Sequence, residues 1–195
     1  MLLIIQRTGQ RRYGIVARRS PFPDLEMNPA PGYDPLLPHD LMHLVVEAQL
    51  GLKRAVFGQL AAGGDAGTFH PIFNPQERAR QAARLRNRVR ARGKKLLHQG
   101  KADSAQSERA VYICRSQWLA RLQSSTQRTA PSPGPQRQRP AGPVTGLQAL
   151  NEQKLDDICR HLDELSAHWQ HLEVGQSMIV SWPELQVLSG ESPQS

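Results

Sequence analysis

Pro38-His39-Asp40-Leu41-Met42-His43-Leu44-Val45-Val46-Glu47 is the stretch on which the reading of this chain turns. Proline suits the first helical position, where its missing N–H is not needed. Asp40 in the first turn favours the positive helix end. The pattern predicts a helix from about Pro38 to Ala62, ended by Gly63-Gly64. At about 100° per residue, Asp40, His43, Glu47 and Arg54 fall in one narrow polar arc. The rest of the circumference is almost wholly apolar, with Leu41, Leu44, Val45 and Val56 on one side and Met42, Val46, Phe57 and Leu60 on the other. A helix so widely apolar belongs in the core. Its polar arc then reads first as the one solvated stripe, and second as a cluster facing a cleft.

Upstream, Leu2 to Arg19 reads as a β-hairpin: Leu3-Ile4-Ile5, a turn at Thr8-Gly9-Gln10, and a return strand Tyr13-Gly14-Ile15-Val16-Ala17. A lone hairpin is barely stable in water, so it needs a partner. The prolines between Ser20 and Pro38 predict an extended connection. Downstream, Asn74-Pro75-Gln76-Glu77 is a helix start, with Asn as cap, Pro at the first position and Glu three residues on. The helix it opens runs to about Gln99. Ser104 or Ser107 is placed to cap a further helix reaching Leu122, with Val111, Cys114, Arg115 and Trp118 on one face. An acidic helix is expected over Leu147–Leu172, then a strand Ser177–Trp182 stopped by Pro183. That strand is expected to join the hairpin.

The overall balance sharpens this picture. The 195 residues carry a net charge of +8, yet only 38% are hydrophobic, below the usual globular share. Part of the chain is therefore expected outside the core. Between Glu77 and Lys101 ten basic residues face one acidic residue, while the remainder holds fifteen basic and sixteen acidic residues. The protein is close to neutral with one basic arm. Two distant cysteines, Cys114 and Cys159, read as buried thiols rather than a disulfide framework. No run approaches a membrane span, and nothing reads as a secretory signal, so the expected setting is cytoplasmic, with no membrane partner.

Two stretches carry candidate chemistry. His39 and His43 lie four apart, the spacing that lets two imidazoles on one helix face hold a zinc ion. The segment resembles the zincin pattern H-E-x-x-H, with Asp40 where those enzymes place their catalytic Glu. Aspartate is one methylene shorter and would not place a general base alike. A site would use His39 and His43, or His43 and Glu47, plus a residue from elsewhere, His70, His161, His168 and His171 being available. On the basic helix, Arg80, Arg84, Arg88, Arg92 and Lys95 could contact nucleic-acid phosphates or an acidic protein surface. No aromatic is interleaved among them, against a single-strand stacking platform. No phosphate loop, G-x-S-x-G or G-x-G-x-x-G is present.

The run Pro29-Ala30-Pro31-Gly32-Tyr33-Asp34, continued by Leu37-Pro38-His39-Asp40-Leu41 and by Phe57-Gly58-Gln59-Leu60-Ala61-Ala62-Gly63-Gly64, resembles segments of an uncharacterised family of small bacterial proteins. The resemblance covers less than a quarter of the chain and implies no activity.

The sequence thus predicts an α+β protein: a small antiparallel sheet of N-terminal hairpin plus C-terminal strand, packed on helices, with a long basic helix and a Pro-rich linker. The expected organisation is 1–123 as hairpin, buried helix and basic helical region, 124–146 as flexible linker, 147–188 as helix and strand returning to the same domain, and 189–195 as a disordered tail. The preferred function is a non-enzymatic binding protein using the basic helix. The alternative is a zinc-dependent, hydrolase-like enzyme using His39 and His43, with Asp40 or Glu47 as acid/base. The sequence does not set an oligomeric state.

Overall fold

The computed structural model describes residues 1–73, 79–126 and 150–188. The helix start at Asn74–Glu77, most of the Pro-rich linker and the tail lie outside the described residues, together with the expectations placed on them.

Among the described residues six strands form one antiparallel sheet: β1 (Leu2–Gly9), β2 (Arg12–Arg18), β3 (Leu25–Ala30), β4 (His70–Pro71), β5 (Ser177–Ser181) and β6 (Val187–Leu188), in the order β4-β3-β2-β1-β5-β6. The hairpin is as expected, with Ile4 opposite Val16. The C-terminal strand joins it, with Ile4 also opposite Ile179. The link is fastened where the Trp182 N–H donates to the Met1 carbonyl at 2.9 Å. Alternation sets the faces. Leu3, Ile5, Tyr13, Ile15, Ala17, Met178 and Val180 are buried under the helices, whereas Leu2, Ile4 and Val16 point the other way and are less covered.

Three parts of the sheet depart from expectation. Leu25–Ala30 is not a plain connection but strand β3. Its one proline, Pro29, is tolerated because the strand is short and its far neighbour β4 pairs over only two residues. Strands β4 and β6 are two residues each, too short to leave a periodic signature.

The helical layer comprises α1 (His39–Leu50), α2 (Val56–Ala61), α3 (Ala79–Gln99), α4 (Lys101–Thr126) and α5 (Glu152–His171). The single helix expected over 38–62 is two. Gly51 takes a left-handed φ of 65° and caps α1 through its N–H to the Ala48 carbonyl, a conformation glycine adopts at no steric cost. Arg54 therefore leaves the polar arc. α4 begins at Lys101, not at a serine cap, and continues to Thr126, past the expected start of the linker at 124. Helices α3 and α4 meet at Gly100, whose N–H still donates to Leu96 and whose carbonyl still accepts from Ser104. α5 is capped by the Asn151 side chain accepting from the Lys154 N–H at 2.8 Å.

Aromatic side chains join the layers. Tyr13 of β2 meets Trp169 of α5 edge to face at 5.7 Å, and Phe57 of α2 lies 6.0 Å from Trp182. The core also takes in Leu41, Leu44, Val45, Trp118, Ile158 and Leu162. Arg19 is buried and ties strand to helix, donating to the Leu60 and Gly64 carbonyls at 2.6 Å each. Burial lowers its pKa to about 10, against the pull of Asp24. Both cysteines are free and buried. Burial pushes the Cys114 thiol up to about 12, which leaves it inert as a nucleophile.

The α3–α4 junction depends on close backbone approach. A Cβ on Gly100 would sit 2.0 Å from the Arg54 carbonyl oxygen. Gly100→Ala is therefore expected to cost about 1–3 kcal/mol by overpacking, measured by urea denaturation. An unchanged midpoint would show that the junction is loosely packed.

Candidate functional site

The polar arc of α1 does not face water. It packs against α4, and the burial of α1's other faces forces it there. His43 is only 6% exposed and Glu47 is 0% exposed. Asp40 turns to the sheet instead: its Oδ2 hydrogen-bonds the Tyr13 hydroxyl, which also lies 2.5 Å from the Pro31 carbonyl oxygen. One phenolic proton faces two acceptors. Burial raises the Asp40 pKa, while the Tyr13 hydrogen bond and the nearby His39 pull the other way. Desolvation likewise raises Tyr13. Asp40 therefore holds the start of α1 to β2 and is not positioned as a general base at the histidines.

Glu47 sits where three helices meet. Its Oε2 accepts from the Phe57 N–H at 2.8 Å and its Oε1 from the Val56 N–H at 3.2 Å. These are the first two residues of α2, whose opening amides lack intrahelical partners. From α4, the Ser107 hydroxyl donates to Glu47 Oε1 at 3.0 Å. Burial raises the Glu47 pKa to about 8, while these three hydrogen bonds pull the other way.

The serine continues the chain to the histidines. Ser107 Oγ lies 2.8 Å from His43 Nδ1. With the serine proton directed at Glu47, His43 donates through Nδ1–H, and its Nε2 lone pair is left pointing outward. That lone pair meets His39 Nε2 at 3.1 Å. Glu108, the residue after Ser107, brings Oε2 to 3.7 Å from His43 Nε2, and its side chain is 70% exposed. Desolvation lowers the His43 pKa, with Glu108 opposing, so the imidazole is held neutral, the form that ligates metals.

One ligand atom from each of His39, His43 and Glu108 lies within 4.8 Å of the others. Metal–nitrogen bonds of about 2.05 Å at a tetrahedral angle separate two imidazole nitrogens by about 3.3 Å. The observed 3.1 Å fits an ion between them. A shared proton fits as well, provided His39 carries it on Nε2. The more exposed Glu108 has the freedom to close the remaining gap. Beyond His39 and Glu108 opens a cleft of about 350 Å³, also lined by Tyr33, Asp34, Tyr112 and Arg115. Arg115 pairs there with Asp34 at 3.2 Å.

The structure thus joins His39 with His43 and groups Glu47 with His43 through Ser107. Arg54 stands apart and exposed, contributing backbone: its N–H donates to Asp103 at 2.9 Å and its carbonyl accepts from Gln59 at 2.8 Å. The other histidines do not converge. His161 pairs with Glu164 at 3.4 Å and His171 bonds the Ala167 carbonyl, while His70 is exposed beside the basic helix. Arg80, Arg84, Arg88, Arg92 and Lys95 form a separate, exposed region on α3.

Glu108 and Ser107 were not anticipated as site residues. On a helical wheel Ser107 shares the Val111–Trp118 face and Glu108 flanks it. The signal existed only as an acid at the border of a buried face, which gains meaning once α4 is set against α1. No protein-family model, curated protein or solved structure matches the chain.

Two stability effects follow from this arrangement. Glu47→Ala strands two amides and a serine and opens a cavity, with an expected loss of about 2–5 kcal/mol. Tyr13→Phe leaves Asp40 and Pro31 short of a partner, with an expected loss of about 1–3 kcal/mol. Equilibrium urea unfolding reads both. Losses below about 0.5 kcal/mol would place these side chains outside the core network.

Proposed function

We propose that this protein is a metalloprotein in which His39, His43 and Glu108 hold one divalent transition metal, zinc being the first expectation. The observation that carries the reading is the approach of the two Nε2 atoms to 3.1 Å, with the Glu108 carboxylate beside them and a cleft lined in part by His39 and Glu108. Two histidines and a carboxylate are a donor set of catalytic zinc and of non-haem iron(II), both of which keep positions open for water or substrate.

The hydrogen-bonded run from Glu47 through Ser107 to His43 supports the same reading. Ligating histidines commonly donate their other ring N–H to an oxygen acceptor, which fixes the tautomer and increases ligand basicity. A serine nucleophile fits less well. Ser107 is 1% exposed and bonds both His43 and Glu47, so its oxygen faces no substrate space.

The chemistry such a centre supplies is Lewis-acid activation of a bound water or a polarised oxygen. Asp40 is committed to Tyr13 and Glu47 to the α2 amides, so neither takes the role of the zincin glutamate. The reading is a metal centre of hydrolase-like type beside the cleft lined by Tyr33, Tyr112 and Arg115, and not a zincin peptidase.

Equilibrium dialysis with zinc, followed by elemental analysis, tests the proposal. One equivalent is expected to bind at micromolar free zinc or below. Joint replacement of His39 and His43 by Ala should abolish binding, Glu108→Gln should weaken it about tenfold or more, and Ser107→Ala should weaken it about 10–100-fold through His43. Undiminished binding in the His39→Ala/His43→Ala variant, or no stoichiometric metal in the native protein with manganese and iron(II) also tried, would overturn it.

A further inference from the structure

The described residues hold a second feature that the metal centre does not use. Helix α3 carries six arginines and two lysines in 21 residues and no acidic side chain. None of these eight cations is in an ion pair among the described residues. The acidic helix α5 does not neutralise them: its Asp156 pairs with Arg121 of α4 and its Asp163 accepts from Trp118. Arginines 80, 84 and 88 follow one another at i,i+4, as do 86 and 90, spacings at which like charges destabilise a helix.

The helix is nevertheless firmly seated. Val89 is buried, and Gly93 and Gly100 let its inner face approach Asp65 and Arg54 closely. Arg92 donates to the Ala62 carbonyl at 2.6 Å and stacks over Phe22, and Arg86 lies over Phe73. At 100° per residue, the opposite face carries Arg80, Arg84, Asn87, Arg88, Lys94 and Lys95, all exposed. From Arg80 to Lys95 this is a rigid cationic strip about 22 Å long. Arg86, Asn87 and Arg90 at its flank share a cleft of about 340 Å³ with His70 and Asp65.

We propose that this outer face of α3 docks on the phosphate backbone of double-stranded nucleic acid. A row of unneutralised, pre-ordered charges complements a regularly spaced polyanion. Arginine predominates, and its planar fork suits phosphate oxygens better than lysine does. A membrane surface would call for apolar side chains beside the charges, but Leu85, Val89 and Leu96 are turned inward, and the one exposed leucine, Leu97, lies off the strip on the helical wheel. The strip presents no aromatic ring, so single strands would lack a stacking platform. The contact reads charge and shape, not sequence.

Fluorescence anisotropy with a 20-base-pair duplex, as DNA and as RNA, tests this in the full chain. For about five phosphate contacts, affinity should fall about 500-fold between 50 and 200 mM salt. Replacing Arg84, Arg88 and Lys95 by Ala should flatten the log–log salt slope by about 2.7 and leave zinc binding and circular dichroism unchanged. The single Arg88→Glu substitution should weaken binding in the same direction, and Arg160→Ala on α5 should have no effect. The DNA and RNA arms identify which duplex is preferred. Duplex affinity insensitive to salt or to the α3 substitutions would overturn the proposal. So would anionic phospholipid vesicles or a polyglutamate peptide binding as tightly as either duplex.

Discussion

A single buried carboxylate, that of Glu47, holds three helices in register. It binds the opening amides of α2 and the Ser107 hydroxyl of α4. A group with no solvent exposure has to find these partners inside the protein, because an unsatisfied buried carboxylate costs several kcal/mol. That requirement selects one arrangement of α1, α2 and α4 among the many that apolar packing alone would allow. The same carboxylate is pushed up to about 8 by burial, and a cation at the outer end of the chain, on His43 Nε2, favours its ionised form.

The geometry of the proposed metal site follows from this pin. Ser107 cannot meet both Glu47 and His43 unless α4 lies across the polar arc of α1, and that crossing delivers the next residue, Glu108, to the histidines. The cleft wall opposite α4 is set from the other direction. α5 holds the loop before α1 through Trp169 and Ser166, which donate to the Asp34 and Leu36 carbonyls at 3.0 and 2.9 Å. α4 is also one arm of a hydrogen-bonded run through Gly100 into α3, so the cationic strip and the His39–His43–Glu108 cluster stand on one continuous support. They use different residues and need not act on the same ligand.

The sequence made the α+β class, the hairpin and the pairing of the C-terminal strand legible, because alternating β-branched and aliphatic runs have few other homes. It also made the histidine pair legible, since i,i+4 spacing is local. The error was the sidedness of the polar arc. Read along α1 alone, Asp40, His43 and Glu47 form the stripe least suited to a core, and solvation is the simplest account. What reverses it is tertiary: one hydroxyl on a helix some sixty residues later, and Tyr13 for Asp40. Single polar partners leave no periodic trace. Gly51 was visible as a residue but not as a break, because the apolar periodicity runs straight through it; the break became evident only from its positive φ. β4 and β6, at two residues each, exist through pairing rather than propensity.

The central claim is that Glu47, acting through Ser107, fixes the His43 tautomer so that Nε2 offers a lone pair to a metal beside His39. Long-range proton–nitrogen correlation of the histidine imidazoles reports this directly. It is best recorded at pH 8.5, above the Glu47 pKa, before and after one equivalent of zinc. The account predicts a protonated Nδ1 and an unprotonated Nε2 on His43 in the free protein, with zinc shifting the Nε2 resonances of His39 and His43 together. A proton on His43 Nε2, or zinc shifts confined to other histidines, would contradict it.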